Sequence, residues 1–169
     1  MTNFHETDIR EVTKSPAEMI GDDWALVTAG DEEKWNTMTV SWGGLGVMWG
    51  KPVAFVFIRP QRYTYEFIEK NDRLSLSFFD GEYKKELGIC GSKSGRDIDK
   101  SAETGFTADF SDGTPYIEQA KTVFICKKMA YQDIKPAGFL DADIDDKWYP
   151  NKDYHRMYVC EIEKVLQKD

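Results

Sequence analysis

The feature that most constrains the fold is a succession of short segments with the pattern of β-strands, separated by turn-forming residues. Residues 35–42, WNTMTVSW, alternate polar and apolar side chains, as a half-buried strand does. Residues 51–59, KPVAFVFIR, form an apolar run rich in β-branched and aromatic residues, which is typical of a strand covered on both faces. The other strand-like segments are residues 24–30, 73–79, 122–134 and 155–166.

Helical patterns are fewer and lie between these segments. Residues 63–71 place their apolar side chains on one side, with Thr64 as the expected N-cap. Residues 81–92 are a second candidate, and residues 101–105 indicate one helical turn that ends at glycine. Strands with helices in their connections predict a mainly β fold, a closed antiparallel barrel with helical decorations. A doubly wound parallel sheet is disfavoured because the strands do not alternate with long helices.

Composition narrows the class of protein. The 169 residues carry no repeat or linker, so one domain spanning residues 1–169 is predicted. With 22 basic and 30 acidic side chains, the net charge of -8 argues against general binding of nucleic acid or of an anionic membrane surface. An anionic ligand therefore requires a local cationic patch. Three cysteines without close pairs and an amino terminus without an apolar signal core predict a soluble cytoplasmic protein with reduced thiols.

Several motifs of common functional sites are absent or incomplete in this sequence. GGLGVMWG has Trp49 where a dinucleotide fingerprint requires its third glycine, and GICGSKSG lacks the residue order of a P-loop. In residues 141–147, DADIDDK, Asp146 stands where a calcium loop requires glycine, and Lys152 follows where it requires glutamate. We therefore expect a solvated acidic loop there. No cysteine or histidine cluster has zinc-ligand spacing, so no metal site is predicted, and no Gly-x-Ser-x-Gly elbow is present.

One motif has the composition of an anion site. RPQRYT brings together two guanidinium groups and two hydroxyls where a helix is expected to begin, from the residues Arg59, Arg62, Tyr63 and Thr64. Planar guanidinium groups, hydroxyls and helix-terminal amides are the donors that hold a phosphate monoester. The alternative is a surface turn whose arginines pair with nearby acids.

The strand before this motif has the composition of a wall for a flat ring. In NTMTVSWGG, one face carries Thr37, Thr39 and Ser41, and the other carries Asn36, Met38, Val40 and Trp42. Hydroxyls and following glycines suit the edge of a heteroaromatic ring, although an ordinary half-exposed strand has the same pattern. Two further segments are weaker signals. GSKSGRDIDK (residues 91–100) is a flexible cationic loop, and NKDYHRMY (residues 151–158) carries a histidine of a kind that is more often structural.

Together, the order and spacing of these segments resemble the flavin reductase-like family of FMN-binding split barrels, which includes flavoredoxin. The resemblance covers about residues 24–166. It implies a six-stranded antiparallel Greek-key split barrel that binds FMN and forms a homodimer with the flavin near the interface. It also implies hydride transfer from NAD(P)H to flavin, with electrons passed onward to a small molecule or a redox protein.

The resemblance also assigns roles to residues. Those expected around the isoalloxazine, largely through backbone groups, are Asn36, Thr37, Met38 and Thr39, with Ser41 and Trp42 close by. Those expected at the phosphate and ribityl tail are Arg59, Arg62, Tyr63 and Thr64. Those expected to close over the flavin are Ser94, Gly95 and Lys100, with His155 near the ring. No catalytic acid or base is assigned, because the flavin carries the chemistry. A cation among Lys93, Arg96 and Lys100 is expected to tune the flavin potential.

Alternatives stay open at this level. A pyridoxamine phosphate oxidase-like enzyme shares the barrel and FMN, a flavin relay or store lacks NAD(P)H turnover, and a carbohydrate binder would use the tryptophans without flavin. The acidic segment, residues 135–153, has no counterpart in the family pattern and is expected to shape substrate access or a dimer contact. Cys90 and Cys160 are expected to be small buried hydrophobic residues.

Overall fold

Residues 3–169 are described by a computed structural model, and they form a large antiparallel sheet with helices in its connections. The strands are β1 (Phe4–Thr7), β2 (Ala25–Gly30), β3 (Trp35–Val40), β4 (Gly43–Met48), β5 (Lys51–Ile58), β6 (Arg73–Phe78), β7 (Ala108–Ser111), β8 (Thr114–Ile117), β9 (Thr122–Asp133) and β10 (Arg156–Lys168). The α-helices are α1 (Tyr63–Lys70), α2 (Lys84–Ser92), α3 (Lys100–Thr104) and α4 (Asp143–Trp148). Short 3-10 helices lie at Ile9–Glu11 and Pro136–Gly138, and a π-helix lies at Ala17–Asp22.

The main sheet has eight strands, in the order β3-β2-β6-β9-β10-β5-β4, with β1 added to β10. β10 is 13 residues long, so its first half pairs with β5 and its last residues pair with β1 on the same edge. Within residues 3–169, β3 and β4 form no ladder with each other, so the sheet is open there. β7 and β8 form a separate hairpin. The mainly β antiparallel class is confirmed, although the strand count exceeds the expected six.

The core consists of two apolar clusters. The larger cluster is formed mainly by side chains of the main sheet and includes Met38, Ile58 and Phe124. The smaller lies beneath α2 and includes Leu87 and Phe106. Since α1 and α2 both pack against β2 and β3, every residue of β2 is buried. The carboxyl end of β3 is thereby held in one place, which matters for the site described below.

The three cysteines belong to this core. Cys126 and Cys160 lie in the larger cluster and Cys90 in the smaller, each as a free thiol with 0% exposure. Burial raises the pKa of Cys160 to about 12 and also raises that of Cys90. The expectation of small buried hydrophobic residues is confirmed.

Two local predictions were wrong, and one predicted helix begins three residues later than expected. Arg62, not Thr64, occupies the N-cap position of α1, because the Thr64 side chain is buried and bonded to Asn36 instead. α2 begins at Lys84 because Tyr83 has a left-handed backbone, with φ of 58°. The acidic loop at 141–147 contains α4, whose first turn carries three aspartates, and negative charge there is favoured by the helix dipole.

Two other predictions were closer. α3 ends at Gly105, which adopts φ of 75°, as the glycine signal predicted. β5 is buried at Val56 and Ile58, but Phe55 and Phe57 are only half-buried, so its second face is incompletely covered. No helix within residues 3–169 combines the length and apolar character needed to cross a membrane.

Candidate functional site

A cleft of about 190 Å³ opens where β3 and β5 end and β10 begins. The antiparallel register aligns Arg156 with Ile58, so the residues just beyond these two strand ends, His155 and Arg59, become neighbours. Its lining residues are Met38, Thr39, Val40, Ser41, Trp42, Phe57, Arg59, Arg62 and His155. Half of the predicted site residues therefore line one cleft. The others, which lie outside its lining, are Asn36, Thr37, Tyr63, Thr64, Ser94, Gly95 and Lys100.

Arg59 is held by the acidic segment. Its Nη1 donates to Asp153 Oδ1 at 2.8 Å, and its Nη2 donates to the Trp148 carbonyl at 2.9 Å. Its guanidinium also lies 4.8 Å from the centre of the Tyr149 ring. The pairing with an acid that the sequence left open as an alternative is thus the observed one, and the acid comes from residues 135–153. Arg59 has its charge compensated within the chain.

Arg62 is different. Its Nη2 donates to the Gly91 carbonyl at 2.9 Å, and no carboxylate within residues 3–169 forms an ion pair with it. Burial lowers the pKa of Arg62, and the charge of Arg59 acts in the same direction. A partly buried guanidinium without a counter-ion is electrostatically suited to an anionic ligand.

Behind the cleft, Asn36 joins β3 to α1. Asn36 Nδ2 donates to Thr64 Oγ1 at 2.8 Å, and both side chains are buried. Gly95 packs against this pair, because a Cβ placed on it would lie 2.2 Å from Asn36 Oδ1 and 3.1 Å from Tyr63 Cδ1. Thr64 is thus used inside the protein, and its assignment to a phosphate stays a prediction.

Lys100 also has partners inside the protein. Its Nζ donates to the carbonyls of Thr37 at 2.6 Å and Cys90 at 2.9 Å, so it links β3 to α2. Burial lowers the pKa of Lys100 to about 8. The Thr37 hydroxyl turns inward, 2.9 Å from Thr28 Oγ1. Any contact of Thr37 with a ligand would involve its backbone, as the resemblance implied.

The loop after α2 is fastened to the start of α1. Ser94 Oγ accepts from the Arg96 backbone amide at 3.1 Å. The Arg96 guanidinium lies 4.7 Å from the centre of the Tyr63 ring and donates to the Gln61 carbonyl at 3.2 Å. Lys93 lies 3.9 Å from Glu103. The expected role of a cation of this loop near a flavin stays a prediction.

Four residues at this site were not predicted from the sequence, and one of them, Val40, lines the cleft on β3. Phe57 also lines the cleft, and its position two residues before Arg59 in the strand-like segment 51–59 could have indicated that the two share a face. Trp148 packs edge-on against Trp42, with ring centres 5.1 Å apart, and Tyr149 contacts His155. No pattern in the acidic segment indicated where it would dock.

His155 is buried among aromatic rings. The Trp42 ring centre lies 5.1 Å away, and the Tyr149 hydroxyl lies 2.7 Å from Nδ1. Burial and then the Arg59 charge lower the pKa of His155 to about 4, while Asp153 opposes them. The imidazole is therefore neutral near pH 7.

This low pKa predicts a specific loss of stability in acid. An unfolded histidine titrates near 6.5, so between about pH 6.5 and pH 4 the unfolded chain binds more protons and the free energy of unfolding falls as the pH falls. We expect this fall, measured by urea unfolding at pH 6.5 and 4.5, to be about 2 kcal/mol larger in the wild type than in His155→Asn. Equal pH dependence in the two proteins would contradict a buried neutral imidazole.

The chain is similar to a known protein family in sequence and to solved structures in fold. A sequence model of the family described as "Flavin reductase like domain" matches residues 20–169. No curated protein matches the chain in sequence. Within residues 3–169, no group of three or more His, Cys, Asp and Glu side chains could hold a metal ion.

Solved structures share the fold. The FMN-binding protein of Thermus thermophilus with bound p-hydroxybenzaldehyde is 24% identical over 86% of this chain and 71% of that one, with a TM-score of 0.66. Flavoredoxin from Methanosarcina acetivorans is 23% identical over 87% and 69%, with a TM-score of 0.65. The styrene monooxygenase flavin reductase from Pseudomonas putida S12 is 15% identical over 85% and 77%, with a TM-score of 0.61.

Proposed function

The chain belongs to the family of flavin reductase like domains, and from this premise we propose that it is an FMN-binding oxidoreductase that uses NAD(P)H to reduce flavin. The electrons would pass onward to a small molecule or a redox protein. The observation that carries the proposal is Arg62, a guanidinium that pairs with no carboxylate within residues 3–169, at a cleft that also offers the apolar and aromatic side chains of Met38, Trp42 and Phe57. A planar ring that carries a phosphate is complementary to that combination.

The residues present fit FMN. Met38, Trp42 and Phe57 offer apolar surface to the ring faces, and Thr39 and Ser41 offer polar groups along an edge. The Thr39 hydroxyl already donates to the Leu87 carbonyl at 2.5 Å, so its backbone is the freer group. Arg62 would hold the phosphate. Arg59 would contribute only after its ion pair with Asp153 had opened.

FMN, when bound, would supply the ring that accepts the hydride. The chain would hold that ring against β3, exclude water from its buried side and balance the phosphate charge with Arg62. His155 lines the cleft as a neutral imidazole and would act as a hydrogen-bonding group rather than as a charge. No residue of the cleft needs to serve as a general acid or base in this proposal.

The wider predictions extend the same proposal. The chain would act as one FMN-binding unit in the cytoplasm and would form a homodimer with the flavin near the interface. Exposed Val47 and Trp49 at the free edge of the sheet, on and just after β4, support a subunit contact. The net charge of -8 supports the absence of nucleic acid and membrane partners.

The first experiment is the visible absorbance spectrum of the purified protein with FMN, before and after anaerobic addition of NADH or NADPH. We expect flavin bands that bleach on addition of one of the two donors. Flavin bands that persist with both donors would contradict the reductase and favour a flavin relay or store. A protein that neither carries nor binds FMN would contradict the assignment of the cleft.

A further inference from the structure

Tyr149 connects the acidic segment to the wall of the cleft. It follows α4, is 3% exposed, and places its hydroxyl 2.7 Å from His155 Nδ1. His155 lines the cleft, whereas Tyr149 lies behind it. A residue outside the cleft thus contacts one nitrogen of a ring inside it.

The direction of this hydrogen bond follows from the available partners. Within residues 3–169, the Tyr149 hydroxyl has no acceptor other than His155 Nδ1. If Nδ1 carried the ring proton, the hydroxyl proton would be left without an acceptor in a buried place, which is costly. Tyr149 therefore donates to Nδ1, and the proton of the neutral ring resides on Nε2.

Nε2 remains free for a ligand. In the described part of the chain Nε2 has no hydrogen-bond partner, and it is not one of the fully enclosed side-chain polar atoms that lack one. Nε2 is therefore accessible, and the ring to which it belongs borders the cleft. The result is an N–H donor at the cleft.

Both rings are held in place. Arg59 lies 4.8 Å from the centre of the Tyr149 ring and bonds to the neighbouring Trp148 carbonyl, which fixes the chain on one side. Trp42 lies 5.1 Å from the His155 ring centre, and Phe57 lies 6.4 Å from it. Neither ring can turn without disturbing these contacts.

We propose that Tyr149 is a positioning residue, which fixes His155 as an Nε2–H donor toward a carbonyl oxygen or ring nitrogen of a planar heterocycle in the cleft. The acidic segment, clamped by Arg59, is then the part of the chain that sets the tautomer. The identity of the heterocycle rests on the proposed function, whereas the tautomer does not.

The test is nitrogen-detected NMR of ¹⁵N-histidine-labelled full-length protein near pH 7, without added flavin. The chain has two histidines, so a His5→Gln background leaves His155 as the only imidazole. We expect a proton on Nε2 and, in Tyr149→Phe, a mixture of both tautomers. A wild-type ring protonated at Nδ1 would overturn the proposal without any variant.

The matched control is Tyr154→Phe. The Tyr154 hydroxyl donates to Asp145 Oδ1 at 2.8 Å, and its ring centre lies 5.0 Å from that of Tyr149, so the same deletion occurs nearby without touching His155. We expect Tyr154→Phe to keep the wild-type tautomer. If both variants changed the tautomer equally, or if Tyr149→Phe left it unchanged, Tyr149 would have only a packing role.

Titration with FMN tests the second part of the proposal, the donation of a hydrogen bond from His155 Nε2–H to a ligand. Titration with FMN should shift the Nε2–H resonance, and Tyr149→Phe should raise the Kd for FMN roughly three- to tenfold relative to Tyr154→Phe. FMN that binds, by absorbance, without moving this resonance would overturn the donor role and leave the proposed function standing. Failure of FMN to bind would be read in the absorbance titration and would overturn the proposed function, while the tautomer of the free protein still reports on Tyr149.

Discussion

Replacement of Arg62 by alanine is expected to raise the Kd for FMN roughly ten- to hundredfold, the range for loss of a hydrogen bond to a charged group. Arg62 is the guanidinium of this cleft that no carboxylate within residues 3–169 compensates. Its one side-chain hydrogen bond to the described residues, from Nη2 to the Gly91 carbonyl, leaves its other guanidinium N–H groups for an anion. The measurement is a fluorescence titration of FMN at fixed ionic strength. Arg62→Lys should recover part of the affinity because the charge remains while the planar fork is lost.

The matched control removes the other arginine together with its counter-ion. The double variant Arg59→Ala/Asp153→Ala deletes an ion pair of 2.8 Å without changing the net charge. We expect it to raise the Kd for FMN by no more than the roughly three- to tenfold expected of Tyr149→Phe, because Arg59 also holds the segment that carries Tyr149, and by less than Arg62→Ala does. A larger effect for the double variant than for Arg62→Ala would show that Arg59, released from Asp153, is the phosphate ligand.

The contrast between the two arginines shows where sequence reasoning ends. The close spacing of Arg59 and Arg62, between a strand and a helix, was readable from the sequence, and the structure places both at one cleft. Which of them is free depends on Asp153, which lies 94 positions from Arg59 in the chain. Nothing in the residues near Arg59 indicates a partner at that distance.

The strands likewise divide into those that local sequence predicts and those that depend on a distant partner. β5, β6, β9 and β10 were predictable because apolar or alternating residues fill a pleated, half-buried surface. β4 was not predicted, since GGLGVM has three glycines and mostly half-buried or exposed positions, and only its pairing with β5 makes it a strand. Register with a distant partner is a tertiary property, and local composition carries little of it.

Lys100 was predicted for the site, but its ammonium is bonded to carbonyls inside the protein. A lysine in a glycine- and serine-rich loop looks like a ligand for an anion. In the structure the Lys100 ammonium donates to the carbonyl of Thr37, a residue 63 positions away in the sequence. This bond lies beneath the strand that borders the cleft. The charge still lies close to β3, so a tuning effect on a bound ring would act through the field rather than by contact.

Replacement of Gly95 by alanine is expected to destabilise the protein by about 2 kcal/mol and to weaken FMN binding as well. The new Cβ would lie 2.2 Å from Asn36 Oδ1, and Asn36 cannot move without stretching its 2.8 Å bond to Thr64. Asn36 belongs to β3, so its displacement also disturbs the wall of the cleft. Urea unfolding and FMN titration measure the two effects.

Two variants separate this clash from a general intolerance of alanine. Gly88 lies in α2, and a Cβ added to it would meet no atom within 4 Å outside its own helix backbone, so Gly88→Ala should be neutral or stabilise the protein by up to about 1 kcal/mol. In an Asn36→Ala background the opposing oxygen is gone, so Gly95→Ala should cost clearly less than it does in the wild type. Equal costs of Gly95→Ala in the two backgrounds would refute the contact between Gly95 and Asn36 as the cause. A smaller cost in the Asn36→Ala background would show that the loop after α2 and the strand beneath the cleft are packed as one unit, with glycine required where they meet.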